Sequence, residues 1–88
     1  MSVIPEAVPL RDKWERCAAG KVRGMIRTSL TPEVVAERAL AGCKAEETAV
    51  KNLLTRRLGR DEAFTVVELI RNAYRSNLTA IVETHRVR

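Results

Sequence analysis

Aromatic side chains are almost missing from this sequence: Trp14, Phe64 and Tyr74 are the only three in 88 residues. A core for a chain of that length has to be built from Val, Leu, Ile and Ala. Such a core is adequate and not generous, so a covalent staple or a partner chain would help it. Glycine and proline are also sparse, at four and three, and no alternating apolar run is bounded by turns. That pattern excludes a strand-rich domain and leaves an all-helical one. No apolar run approaches the roughly 18 residues of a membrane span. The chain has one histidine, His85, no Cys-x-x-Cys, no glycine-rich phosphate loop and no Ser/His/Asp order. Metal binding, dithiol redox chemistry and nucleophilic catalysis therefore have no motif behind them. No cofactor and no catalytic residue is expected, and the chain reads as a non-enzyme.

Charge is what the sequence has in quantity. Sixteen basic and 11 acidic residues give a formal net charge of +5 and a pI near 9.9. Twelve of the bases are arginine, a usage that suits phosphate. Lys13, Arg16, Arg23 and Arg27 follow spacings of three, seven and four, so on one helix they form a strip, with Gly20 at the missing position. They are the candidate phosphate-binding residues, with Arg71 and Arg75 as additions. Against this, no aromatics are interleaved for base stacking, and Glu6, Asp12 and Glu15 lie close by. A solvated face is the first reading and nucleic-acid binding the second.

Apolar periodicity divides the chain into three helices at about 10–27, 32–58 and 62–86, forming one domain over 9–88 behind an extended arm at 1–8. The first carries Leu10, Trp14, Cys17, Ala18, Val22, Met25 and Ile26 on one face. The second starts at Thr31-Pro32-Glu33, an N-cap, a first-turn proline and a dipole-matched acid. Its face reads Val35, Ala36, Ala39, Leu40, Cys43, Val50, Leu53, Leu54 and Leu58. That face is poor around Glu46 and Glu47, where a kink near 42–45 is the alternative. Gly59 ends the second helix and Asp61 caps the third. The third carries a main stripe of Phe64, Val67, Ile70, Tyr74, Leu78, Ile81 and His85, with a second of Val66, Leu69, Ala73 and Ala80 beside it. So broad an apolar surface is packed across the first two helices or shared with a second subunit, which makes a homodimer an expectation. The partner-binding candidates are Trp14, Val66, Leu69, Ala73 and Ala80. For Trp14, a core role comes before an exposed anchor.

Cys17 and Cys43 lie 13 positions to either side of residue 30, the middle of the turn between the first two helices. In an antiparallel hairpin the two sulfurs would meet, with Gly20 and Gly24 placed where the helices approach. A structural disulfide or two buried thiols both fit: the bridge in an exported protein, the thiols in cytosol.

The run Trp14-x-x-Cys17, Thr31-Pro32-Glu33-Val34-Val35-Ala36, then Ala39-Leu40-Ala41-Gly42-Cys43 with Glu46-Glu47 after it, resembles a loose group of small, uncharacterised bacterial helical proteins. Many of these are predicted to carry a signal peptide. The resemblance covers about residues 14–54. It implies a helical fold, a Cys17–Cys43 bridge and export, and no activity. The start Met1-Ser2-Val3-Ile4-Pro5-Glu6 has no signal-peptide pattern. The compartment is thus cytoplasmic if Met1 is native, and periplasmic or secreted if a leader was removed. The expectation for function is a non-catalytic interaction or structural protein that self-associates. The alternative is a small nucleic-acid-binding protein.

Overall fold

The computed structural model describes residues 4–87, and among them it is all helical. The helices are α1 (Ala7–Arg23), α2 (Pro32–Ala41), α3 (Lys44–Leu58) and α4 (Arg60–Arg86). There are four, not the three expected over 10–27, 32–58 and 62–86. Of the arm expected over 1–8, residues 1–3 lie outside the described residues. The Ile4 and Pro5 carbonyls accept from the Ala7 and Val8 N–H groups at 3.0 and 3.2 Å. Helix geometry therefore starts ahead of Pro9.

The extra boundary falls at Gly42-Cys43, inside the long second helix the periodicity suggested. At that point Cys43 is bridged to Cys17 of α1. The side chain of Lys21 crosses over Gly42, and a Cβ there would stand 2.6 Å from Lys21 Cδ and 2.7 Å from Cε. A side chain at position 42 would need the Lys21 stem to swing aside. Cys43 then leaves helical geometry, at φ −119° and ψ 37°, and is completely buried facing α1. Gly20 and Gly24, expected to permit the approach, do not serve it. A Cβ on Gly20 would meet nothing within 4 Å, and Gly24 lies just beyond the last residue of α1.

The second expected start is present as read. Thr31 Oγ1 accepts from the Val34 N–H at 3.3 Å, with Pro32 at the first helical position. The third start is different: α4 begins at Arg60, and Asp61 lies in its first turn without capping it. Gly59 alone joins α3 to α4, at φ +89°, a left-handed conformation that favours glycine.

α2 and α3 run back along α1, and α4 returns beside all three. Arg57 near the end of α3 pairs with Glu6 at the start of α1, whereas Arg86 at the end of α4 reaches the loop that follows α1. At 1.5 Å per residue α4 is about 40 Å long, which matches the 42 Å long axis of the molecule. The core holds Trp14, Ala18 and Val22 from α1, Val35, Ala36, Ala39 and Leu40 from α2, and Val50 and Leu54 from α3. Ala63, Val67, Tyr74, Leu78 and Val82 complete it from α4.

Arg86 closes the end of the bundle. Its Nε donates to the Ile26 carbonyl at 3.0 Å and one terminal nitrogen to Thr28 at 2.9 Å, while the other donates to Leu30. Three loop carbonyls are satisfied by one guanidinium. Replacing Arg86 with Ala is expected to lower unfolding free energy by about 1–3 kcal/mol in urea denaturation, and Arg86→Lys, lacking the fork, should recover less than half of that loss.

Candidate functional site

Three surfaces were marked by the sequence, and the fold treats them differently. Trp14 is fully buried, so it is not an exposed anchor for a partner. Its ring meets Tyr74 edge-on, with centroids 5.1 Å apart and planes at 77°. The indole Nε1–H finds no acceptor among the described residues. The Tyr74 hydroxyl donates to the Arg11 carbonyl at 3.0 Å.

The basic strip is divided by the end of α1. Lys13, Arg16 and Arg23 are exposed on that helix, and Arg27 lies in the loop beyond it. Among the described residues none of the four is in an ion pair. Arg71 and Arg75 do not add to the strip. Arg71 is paired with Glu47 of α3 and Glu68 of its own helix, and Arg75 Nε stands 2.7 Å from Glu37 Oε1 of α2. The hydrogen bond that Glu47 accepts raises the Arg71 pKa against the effect of burial, and the charges of Glu47 and Glu68 add to the rise. Glu47, which looked like a defect in the apolar face, is buried because Arg71 neutralises it.

The third surface is α4, where the expected main stripe is buried at Val67, Tyr74 and Leu78, while Ala63 and Val82 take the inward places expected of Phe64 and Ile81. Ala63, Val67, Tyr74, Leu78 and Val82 point inward. Ile70 is half-buried, Phe64 is 58% exposed, and Ile81 and His85 lie outside the core. Most of the second stripe faces away from the bundle: Leu69 is 63% exposed and Ala73 and Ala80 are exposed, whereas Val66 is half-buried and packs against the edge of the core. At 100° per residue these four share one side of the helix with Ser76 and Asn77.

Charge is sorted with the same sharpness. Between Thr65 and Val82 the charged residues are Glu68, Arg71 and Arg75, at spacings of three and four. All three lie on the flank that faces α2 and α3, where Glu47 and Glu37 pair with the arginines. The opposite side of this stretch bears no charge, in a chain where 31% of residues are charged. Val66, Leu69, Ala73, Ser76 and Ala80 also repeat at three, four, three and four, the spacing of a seam between paired helices. Ser76 and Asn77 went unnoticed in the sequence because they are polar; the seven-residue period would have found Ser76. One edge of this side opens into a shallow groove of about 260 Å³ between α4 and α1, lined by Ala18, Ala19, Tyr74, Leu78, Asn77 and Ile81 and by the charged Glu15 of α1.

Cys17 and Cys43 meet as the mirrored register suggested. Their sulfurs are 2.09 Å apart and their Cα atoms 6.1 Å apart, so the bridge, not the pair of free thiols, is what this structure holds. It ties α1 to the joint between α2 and α3.

Comparison of the chain with protein-family models, with curated proteins and with solved structures gives no match.

Burial pushes the Tyr74 phenol up to about 12 from its ordinary 10.0, with the Glu15 charge adding to the rise and Arg11 opposing it. The folded state thus favours neutral Tyr74. Its contribution to stability is intact below about pH 10 and is lost as pH rises towards about 12. Since Tyr74 is the only tyrosine, phenolate absorbance reads it alone. The folded protein is expected to titrate near 12 and the urea-unfolded chain near 10; coincident curves would show an open phenol.

Proposed function

We propose that this chain is a non-catalytic helical interaction module that pairs with a second copy of itself through the outer side of α4. One observation carries the reading: the uncharged, heptad-spaced side formed by Val66, Leu69, Ala73, Ser76 and Ala80. A solvated helix face in so highly charged a chain would be expected to carry Lys, Arg or Glu. Small residues at seam positions let two helices approach closely. A symmetric pair needs a surface that complements itself, and an uncharged one does so without like-charge repulsion. The groove beside Asn77 and Ile81 borders that side and adds apolar area to it, with Glu15 of α1 also in its lining.

Order along α4 favours an antiparallel direction for that pairing. The larger side chains, Val66 and Leu69, lie in its first half, and Ser76 and Ala80 in its second. An antiparallel pair centred on Ala73 sets Val66 against Ala80 of the other copy, and Leu69 against Ser76 and Asn77. Bulk meets space at each level. A parallel pair would stack bulk on bulk at one end and leave gaps at the other.

The exposed bases Lys13, Arg16, Arg23 and Arg27 support nucleic-acid binding as the second reading. Two measurements separate them. Light scattering over a dilution series is expected to give twice the 9.9 kDa chain mass at high concentration and the chain mass on dilution. Leu69→Arg, at an exposed position that leaves the core intact, is expected to shift the equilibrium to monomer by tenfold or more. A monomer mass at every concentration overturns the proposal. DNA affinity in the nanomolar to low-micromolar range that falls steeply with salt would put the second reading first.

A further inference from the structure

From the ligand set gathered where α1 meets the start of α3, we infer that the reduced chain binds one thiophilic divalent cation, of which zinc is the type, through Cys17, Cys43 and Glu46. In this structure the sulfurs are joined, yet the Glu46 carboxylate stands with them: one ligand atom from each of the three residues lies within 4.8 Å of the other two. Glu46 is set there by the local fold. Cys43 takes the N-cap position of α3, and Glu46 follows three residues on, in the first turn. Its neighbour Glu47 is committed to Arg71, whereas Glu46 is in no ion pair among the described residues.

The dimensions suit a metal as well as a bond. A tetrahedral zinc site has Zn–S of about 2.3 Å and Zn–O of about 2.1 Å, which puts neighbouring ligand atoms about 3.5–3.8 Å apart. Cysteines whose Cα atoms are 6.1 Å apart can separate their sulfurs to that distance by side-chain rotation alone. Glu46 then has little further to move. Two thiolates, a carboxylate and a divalent ion leave one net negative charge. The N-terminus of α3, where Cys43 makes no side-chain cap, favours that charge, as do Lys44 beside it and Lys21 across Gly42. Cys43 is buried while Cys17 and Glu46 are half-buried, so the fourth ligand is water on the solvent side. Thiolate ligands select zinc over magnesium or calcium.

The exchange balances without further reactants. A dithiol of the thioredoxin type gives two electrons and two protons to the Cys17–Cys43 bridge and becomes a disulfide itself. The S–S bond breaks to two thiols, and metal binding releases their two protons. Oxidation reverses the sequence and expels the ion. The joint between α2 and α3 is therefore held in both states, by a covalent bond in one and by a metal in the other.

Cobalt(II) tests this in protein reduced with a phosphine, which does not compete for the metal as a dithiol would. One equivalent is expected to produce a sulfur-to-cobalt charge-transfer band that zinc then abolishes, with no band in the oxidised protein. Glu46→Gln is expected to weaken cobalt binding by about tenfold or more, and Cys43→Ser to remove the charge-transfer band. Circular dichroism accompanies each titration. If reduction unfolds the chain, zinc is expected to restore its helicity. No band in a folded, reduced chain overturns the inference. So does unfolding that zinc does not reverse, equal binding by oxidised protein, or unweakened binding by Glu46→Gln. None of these results depends on whether the chain pairs through α4.

Discussion

The edge-on contact of Trp14 with Tyr74 is what allows so aromatic-poor a chain to close a core. Fully burying a Val or Leu side chain contributes about 1.5–3 kcal/mol. An aromatic side chain buries about 150–250 Å², or about 4–6 kcal/mol by the same area measure. Two of the three aromatics are spent on one contact between α1 and α4, and the Tyr74 hydroxyl secures it to the Arg11 carbonyl. The cost is an indole N–H buried without an acceptor, about 1–3 kcal/mol. Phe64, the third aromatic, lies outside the core and contributes little to it.

Everything else fixes α4 in the orientation this contact requires. Arg71 reaches α3, Arg75 reaches α2, and Arg86 holds the loop between α1 and α2. These anchors leave α4 on its inner side or on one flank. The remaining side, uncharged from Thr65 to Val82, is touched by the rest of the chain only at its edge, where Val66 packs against the core. The disulfide holds the other half of the fold, at the point where Gly42 and Cys43 interrupt the path from α2 to α3. In the chain-entropy view a bridge across this loop contributes about 3–4 kcal/mol, comparable with one buried aromatic.

The helical class, the α2 start at Thr31 and the face from Val35 to Leu54 were legible because each rests on local signals of cap and spacing. The meeting of Cys17 with Cys43 was legible from register about one turn. The break at Gly42-Cys43 was visible only as a weak stretch of the face, since the bridge and burial that accompany it at Cys43 are tertiary contacts with α1. Val82 and Ala63 were missed for another reason. Each lies one position from a larger apolar residue, Phe64 or Ile81, that fits the same helical spacing, and only packing against the other helices shows which of the two is inside. Arg86 was invisible as well, because an arginine near a helix end has an adequate local explanation in the dipole.

We propose that α4, anchored to the bundle on one side, carries a second copy on the other. The most direct test is an isotope-filtered nuclear Overhauser spectrum of labelled and unlabelled chains mixed at high concentration. Intermolecular contacts are expected between the methyl groups of Val66 and Ala80, and at Ala73 with its own copy. Intermolecular contacts confined to α1, α2 or α3, or none at all, would contradict the account.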